Sequence, residues 1–355
     1  MKLTIGIPVF NEKPYIAKTL ESIFHEARSS SEIFEILVID NASTDGTSEL
    51  LEEIGKSYDL PKNIHLRIIY NQENLGFINS IENLIRFGIG DYLWLLGAQE
   101  ILLPNALNLI FSYLKEDPWQ MVLNTTVWDE VSDSEISDNM YRRREDQRYG
   151  SPEEYFIDLG GPSVSLSANI SRRLPLAKRL DTPTFSHYWS WLERWIDVAV
   201  DPESEGEIIF IATPTVRILI EEKGWVATGT DSTGKSEVRN ANPLHFTALE
   251  LTEIAKRKFN SNKTIRNSLG TYRDPFNCVR AIAIAKVNGL DVGSAKIWRT
   301  SKVYGFTYWY WLVGLPLLLA PTLFFHSSSL ERARTTVHYF RKLLKAPARN
   351  LGSEL

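Results

Sequence analysis

Four short, β-branched apolar runs, each followed by a polar loop and then a segment of helical period, constrain this chain more than any other feature. The runs are Leu3–Val9, Glu35–Ile39, Leu66–Tyr70 and Tyr92–Leu96. Between them Ile16, Leu20, Ile23, Phe24 and Ala27, then Leu50, Leu51 and Ile54, then Ile78, Ile81, Leu84 and Ile85 recur at helical spacing. Strand-helix alternation at this pitch builds βαβ units, hence a parallel sheet with helices on its faces. In such an open α/β sheet, ligands bind in the crevice at the carboxyl ends of the strands. The loops there should therefore carry the chemistry.

Those loops are chemically distinctive. Ile7-Pro8-Val9-Phe10-Asn11-Glu12 ends the first run, and Val38-Ile39-Asp40-Asn41-Ala42-Ser43-Thr44-Asp45-Gly46-Thr47 ends the second. Asn74-Leu75-Gly76 opens a helix after the third, and Gly97-Ala98-Gln99-Glu100 follows the fourth. An acidic residue just after a parallel strand can accept the imide hydrogen of uracil or thymine, and Asp40 is so placed. The same carboxylate can instead cap the following helix, although Ser43, Thr44 and Asp45 stand nearer for that task. Asn11 and Glu12 would flank a ribose, with Pro8 fixing the turn. The helix opened by Asn74 and Gly76 offers its N-terminus to phosphate. The crevice suits a nucleotide-linked sugar.

With 355 residues, 43% of them hydrophobic and 23% charged, the chain is large enough for more than one folded unit around a substantial core. A formal charge of −5 argues against a general nucleic-acid binder, so no nucleic-acid partner is expected. The single cysteine, Cys278, excludes an internal disulfide and reads as a small buried apolar residue. Met1-Lys2-Leu3 runs straight into strand-like sequence, leaving no room for a cleaved signal peptide.

Three regions are expected: a nucleotide-sugar-binding half over 1–128, an acceptor-binding half over 129–244, and a mainly helical C-terminal region over 245–355. After a helix over Asn105–Leu114 and a strand over Met121–Trp128, the charge-dense stretch Asp129–Tyr149 reads as a solvated loop. Ile208–Ala212 and Val216–Ile220 resemble a hairpin around Thr213-Pro214-Thr215, and Gly224–Asn242 a second flexible loop. Tyr304–Phe325 contains no charged residue. At about 1.5 Å per residue it is long enough to cross a bilayer core of about 30 Å. Pro316 and Pro321 interrupt it, and basic residues flank both sides (Lys296, Arg299 and Lys302; then Arg332, Arg334 and Arg341 onward). A re-entrant or in-plane segment at an inner-membrane surface fits that pattern better than a span, and a buried helix pair is the bland alternative.

Residues 3 to about 115 resemble the nucleotide-binding half of the family 2, inverting glycosyltransferases of the GT-A fold, through the four motifs quoted above and Gly90-Asp91-Tyr92-Leu93-Trp94-Leu95-Leu96-Gly97. The remainder resembles more loosely the acceptor half of bacterial cell-surface members, abequosyltransferase-like enzymes of O-antigen assembly. The resemblance implies a GT-A-like, mostly parallel sheet flanked by helices, and a mainly helical C-terminal region with a membrane-associated apolar segment. It implies transfer from a UDP or dTDP sugar to a lipid-linked or cell-surface glycan, at the cytoplasmic face of the membrane. Asp40 would meet the base, with Pro8, Phe10, Asn11 and Glu12 around the nucleoside and Asn74 and Gly76 toward the phosphates.

The family's metal-binding aspartate triplet is here Ala98-Gln99-Glu100, leaving Glu100 and Gln99 as ligands for a divalent cation (Mn or Mg), with metal-independent transfer the alternative. An inverting transfer also needs a general base for the acceptor hydroxyl, worth about 10²–10⁴-fold. The candidates are His187, Glu193 and Asp181, and the bland readings are a helix-start histidine for His187 and an arginine pair for Glu193. Trp191 and Trp195, at helical spacing, suit a core as well as a sugar-stacking surface. A non-catalytic nucleotide-sugar or glycan binding protein on the same fold is the other reading, kept open by Ala98 and Gln99. No Gly-x-Gly-x-x-Gly follows the first strand, which excludes a dinucleotide-binding oxidoreductase.

Overall fold

The computed structural model describes residues 1–56, 60–129, 134–137, 145–159, 165–184, 190–201, 206–220, 228–230, 236–238, 254 and 257–259. The chain divides into two compact units, residues 1–237 with 250–271, and 238–249 with 272–355. The apolar stretch 304–325 and, apart from 254 and 257–259, the expected helical region 245–355 lie outside the described residues. Among the described residues, no helix is long and apolar enough to cross a membrane.

The first unit opens with β1 (Leu3–Val9), α1 (Ile16–Arg28), β2 (Phe34–Asp40), α2 (Thr47–Gly55), β3 (Ile64–Tyr70), α3 (Phe77–Phe87) and β4 (Tyr92–Leu95). β1 lies between β2 and β4, and β2 between β1 and β3, all parallel, as the alternation requires. Side chains alternate across the sheet. Leu3, Ile5, Ile7 and Val9 join Phe34, Ile36 and Val38 in one core with Ile16, Leu20 and Ile23 of α1. Each fully buried side chain of this kind contributes about 1.5–3 kcal/mol.

Next come β5 (Glu100–Leu102), α4 (Ala106–Leu114), β6 (Gln120–Asp129), β7 (Ser134–Ser137), β8 (Gln147–Tyr149), α5 (Pro152–Leu159), a 3-10 turn at Leu166–Ala168, and β9 (Asn169–Arg172). Then follow α6 (Arg173–Ala177), α7 (Ser190–Ala199) and β10 (Ile208–Ile220). All ten strands make one mixed sheet of order β3-β2-β1-β4-β9-β6-β10-β5, with β7 beside β6 and β8 beside β10. Both expected halves thus share a single sheet. β9 runs antiparallel to β4 and β6, and β5 antiparallel to β10.

Three local expectations are corrected. The pair around Thr213-Pro214-Thr215 is no hairpin: both arms continue as β10 along the same parallel partner, β6. Register skips from Ile211 opposite Leu123 to Pro214 opposite Asn124, so the proline forms a bulge instead of a reversal. The bulge's freed backbone groups find side chains: the Ala212 N–H donates to Asp146 Oδ1 at 2.8 Å, and the Ala212 carbonyl accepts from Asn124 Nδ2 at 2.6 Å. The charged stretch after β6 is not wholly a solvated loop, since β7 and β8 within it pair with β6 and β10. The third correction falls on Gly224–Asn242, which contains a two-stranded ribbon of β11 (Thr228–Thr230) and β12 (Ser236–Val238).

Candidate active site

The carboxyl ends of β1, β2 and β3 are laced together by side chains from the loops themselves. Asp40 is 1% exposed. Its Oδ1 accepts from the Ser43 backbone N–H (3.1 Å) and hydroxyl (2.5 Å), and its Oδ2 from the Ser48 hydroxyl. An ionised carboxylate has about four acceptor positions. One position on Oδ2 is therefore left for a further donor such as an imide N–H.

Asn11 crosses from β1 to the same loop. Its N–H donates to Ser43 Oγ (2.9 Å), and its Oδ1 accepts from the Thr44 N–H (2.8 Å). Asn11 and Ala42 both adopt positive φ, 56° and 61°. Asn tolerates this, whereas a left-handed conformation costs other residues about 1–2 kcal/mol, so the loop network holds a strained crossing. The Glu12 N–H donates to Thr47 Oγ1 (3.0 Å). Asp45 is held below the usual carboxylate range: slight burial raises it, but the Thr47 hydroxyl and the N–H groups of Lys13 and Thr47 outweigh that. Pro8 and Phe10, at the β1 end, are partly exposed.

A second network joins β2 to the α3 entry. Asn41, 3% exposed, donates through Nδ2 to Asn74 Oδ1 (2.6 Å). Its own Oδ1 accepts from Asn71 Nδ2 and from the Leu75 N–H, both 2.9 Å. Asn74 Oδ1 also accepts the Gly76 N–H at 2.8 Å. Gly76, with φ 85° and ψ 160°, occupies a region open essentially to glycine alone. Asn41, Asn71, Ser43 and Ser48 were not among the nominated site residues. Their signal was an asparagine directly after two successive strands, and two serines three and eight residues after Asp40.

The β4–β5 turn is built differently. Ala98 faces inward and its carbonyl accepts from Thr19 Oγ1 of α1 at 2.7 Å. Gln99 Nε2 donates to Glu12 Oε2 at 3.0 Å. Glu100 folds back under the turn: Oε2 accepts the Gly97 N–H (2.7 Å) and Oε1 the Ser167 hydroxyl (2.9 Å). The carboxylate lies so close to Gly97 that a Cβ there would come within 3.1 Å of Glu100 Cδ. Burial pushes this carboxyl up to about 7, against the two hydrogen bonds that pull it down. Ser167, sixty-seven residues away, carried no sequence signal. This donor set fits a divalent cation poorly. Each Glu100 oxygen already accepts a hydrogen bond from within the chain, the Gln99 amide faces a carboxylate, and no cluster of three His, Cys, Asp or Glu occurs among the described residues.

Two of the three expected general bases lie among the described residues. Asp181 is exposed in the turn after α6, and Glu193 is 3% exposed on α7, which packs against α3 and α6. His187 lies outside the described residues. Arg194 pairs with Glu82, and Arg172 with Asp117. Trp191 and Trp195 stack edge-to-face and are buried, so they are core, not a sugar platform. A cavity of about 430 Å³ lined by Trp119, Pro175, Lys178, Arg179 and Asp201 sits where β6 begins, not at the strand ends just described.

The model of the family described as glycosyl transferase family 2 matches residues 4–169, the span that carries all four loops. That match covers somewhat less than half of the chain. The chain is 34% identical over 116 residues to abequosyltransferase RfbV of Salmonella typhimurium, covering 32% of this chain and 33% of that protein. It is also 32% identical over 120 residues to a dolichyl N-acetylglucosaminyl phosphate glucuronosyltransferase of Methanococcus voltae, covering 33% and 36%. The chain thus spans about a third of the length of the curated relatives it matches. Its fold is similar to the crystal structure of S. aureus TarS 1-349, with TM-score 0.53, 10% identity, and coverage of 86% of this chain and 83% of that one. The same protein in complex with UDP-GlcNAc gives a TM-score of 0.50 at 14% identity, covering 86% and 84%. The mixed sheet with flanking helices fits the GT-A fold.

Proposed function

We propose that this chain transfers a sugar from a UDP or dTDP donor to a lipid-linked or cell-surface glycan, with inversion at the anomeric carbon. The observation that carries the reading is the convergence of Asn11, Asp40, Asn41, Asn74 and Gly76 in two linked networks at the ends of three adjacent parallel strands. One free acceptor position on Asp40 suits a single imide N–H, which uracil and thymine share and which cytosine lacks. Phe10 and Pro8 would border the base, Glu12 the ribose, and the α3 entry the phosphates. In a direct displacement the acceptor oxygen attacks the anomeric carbon as its proton passes to a base, and the nucleoside diphosphate leaves. His187, Glu193 and Asp181 remain the candidates for that base.

The lipid-linked acceptor and a place at the cytoplasmic membrane face rest on the uncharged 304–325 stretch with its basic flanks. The name of the Methanococcus voltae relative, a glucuronosyltransferase of a dolichyl N-acetylglucosaminyl phosphate, agrees with that choice. A second reading, a non-catalytic nucleotide-sugar binder, is favoured by the hydrogen-bonded Glu100.

Calorimetry with UDP, dTDP, GDP and CDP tests the proposal. UDP and dTDP should bind and GDP and CDP should not. Asp40→Asn preserves the bonds to Ser43 and Ser48 in outline but removes the charge and one acceptor, and should cost about tenfold or more in UDP affinity. Equal binding of GDP and UDP, or unchanged affinity in Asp40→Asn, would reject the role of Asp40. Transfer from a labelled donor to membrane-derived acceptor then separates enzyme from binder. Truncation before Tyr304 should move the protein out of the membrane fraction.

A further inference from the structure

The turn that follows β4 has exchanged one kind of chemistry for another. A cation that neutralises a diphosphate needs at least one carboxylate oxygen open to the crevice, the remaining positions being filled by phosphate and water. Here the only carboxylate of the Ala98-Gln99-Glu100 triplet spends its oxygens on Gly97 N–H and on Ser167 Oγ. Its aliphatic stem and carboxyl carbon pack on the bare Cα of Gly97, 3.1–3.3 Å from where a Cβ would stand. Gln99 donates its amide N–H to Glu12, so amide hydrogens stand beside the one other nearby carboxylate. The Ala98 carbonyl is committed to Thr19. Ser167 is itself anchored, its carbonyl accepting from Trp94 Nε1 of β4 at 2.8 Å.

We propose that Glu100 is a clamp, tying the β4–β5 turn to the Leu166–Ala168 turn through Ser167, and that the nucleotide diphosphate binds here without a cation on that carboxylate. This rests on the nucleotide-binding reading above, yet one arm of its test does not need nucleotide at all. The clamp joins a loop of the donor side to an element that precedes β9, so the position of the turn is set by hydrogen bonds intrinsic to the chain. A cation could use only the one acceptor position that each oxygen keeps, on a carboxylate whose orientation is set by both bonds.

The test uses the full-length protein, its Glu100→Gln variant and its Ser167→Ala variant. Glutamine keeps an acceptor for Gly97 N–H and offers Ser167 a donor in place of an acceptor, so the clamp survives without the charge. Mn²⁺ alone is titrated first, followed by electron paramagnetic resonance of the free ion. Expected is no Mn²⁺ uptake that differs between wild type and Glu100→Gln. UDP is then titrated in EDTA and in Mn²⁺, and its Kd should agree between the two conditions for wild type and Glu100→Gln. Ser167→Ala, which removes no carboxylate, frees one Glu100 oxygen and should be the variant in which Mn²⁺ begins to matter. Mn²⁺ bound by wild type and lost in Glu100→Gln overturns the inference. So does a UDP affinity that rises about tenfold with Mn²⁺ in wild type but not in that variant. If UDP fails to bind in every condition, the nucleotide reading falls while the Mn²⁺ titration still decides the clamp.

Discussion

In the β1–β2–β3 part of the sheet, Glu35 is wholly buried, yet it accepts from Thr4 Oγ1 (2.6 Å), Arg67 Nη1 (2.6 Å) and the Ile89 N–H (2.9 Å). In the β6–β9–β10 part, Gln120 Oε1, Asn124 Oδ1 and Ser171 Oγ are buried with no hydrogen-bond partner among the described residues. Among the described residues, the buried side-chain atoms of the sheet left without a partner thus fall on the β6–β9–β10 part and not on β1–β3, although Gln120 and Asn124 still bond through their Nε2 and Nδ2 atoms. A satisfied buried network fixes one geometry, whereas an orphaned group adds a desolvation penalty and no specificity. The side with closed networks is also the side whose strand ends carry Asp40 and Asn41. Ordering of the strand-end loops and pairing of the buried polar groups in the sheet beneath them go together.

The sharpest way to break this comparison is to open the closed side. Glu35→Ala removes the acceptor for three donors and strands Arg67, whose side chain is about a third exposed. Removing one partner of a buried pair typically costs about 3–5 kcal/mol. The lower end is expected here because Arg67 can turn toward water, and urea unfolding measures it. UDP affinity of the folded fraction should not change, since Glu35 lies near the start of β2 and Asp40 at its end. A loss below about 1 kcal/mol would mean that the network is ornamental.

A second, smaller effect concerns Glu100, where burial opposes the clamp. Its carboxyl is raised to about 7 when folded and returns to the ordinary range when unfolded. The folded state thus binds the proton more tightly, so stability is greatest below the unfolded value and declines as pH rises to about 7. Glu100→Gln does not titrate. It should match wild type near pH 4 and exceed it by on the order of 2 kcal/mol at pH 8, read from unfolding curves across pH. Parallel curves for the two proteins would show that the carboxyl is ionised without penalty in the fold.

The contrast between the two parts of the sheet also explains what could be read beforehand. Asp40, Ser43, Asp45 and Thr47 lie within eight residues, and their partners are mostly one another or the equally short Asn11-Glu12 pair, so the motif and its geometry are nearly the same object. That β1 to β4 run parallel followed from alternation, whereas their order β3-β2-β1-β4 came only from the structure. β10 was missed as one strand because Pro214 is an ordinary turn signal, and only the partner β6, some ninety residues earlier, turns it into a bulge. The bond between Glu100 and Ser167 could not be read beforehand, because Ser167 is distant in sequence and unremarkable in type. Local chemistry is legible where its partners are local. The base for the acceptor hydroxyl, if it is His187, belongs to the class of residue that only tertiary contacts can place.

The smallest effect makes the finest distinction. Thr4 Oγ1 donates to Glu35 and accepts the Gly90 N–H at 2.8 Å, whereas Ser171 Oγ, equally buried, meets nothing among the described residues. Both are hydroxyls on strands of one sheet, and each becomes a small apolar side chain on mutation to alanine. Thr4→Ala leaves a carboxylate and an amide short of a partner and should cost about 1–3 kcal/mol. Ser171→Ala deletes a group that had already lost its water without gaining a bond, and should change stability by less than about 0.5 kcal/mol in either direction. Chemical denaturation of the pair measures the difference directly. A Ser171→Ala loss as large as that of Thr4→Ala would mean that Ser171 is bonded in solution through ordered water, and the two sides of the sheet would then be closed alike.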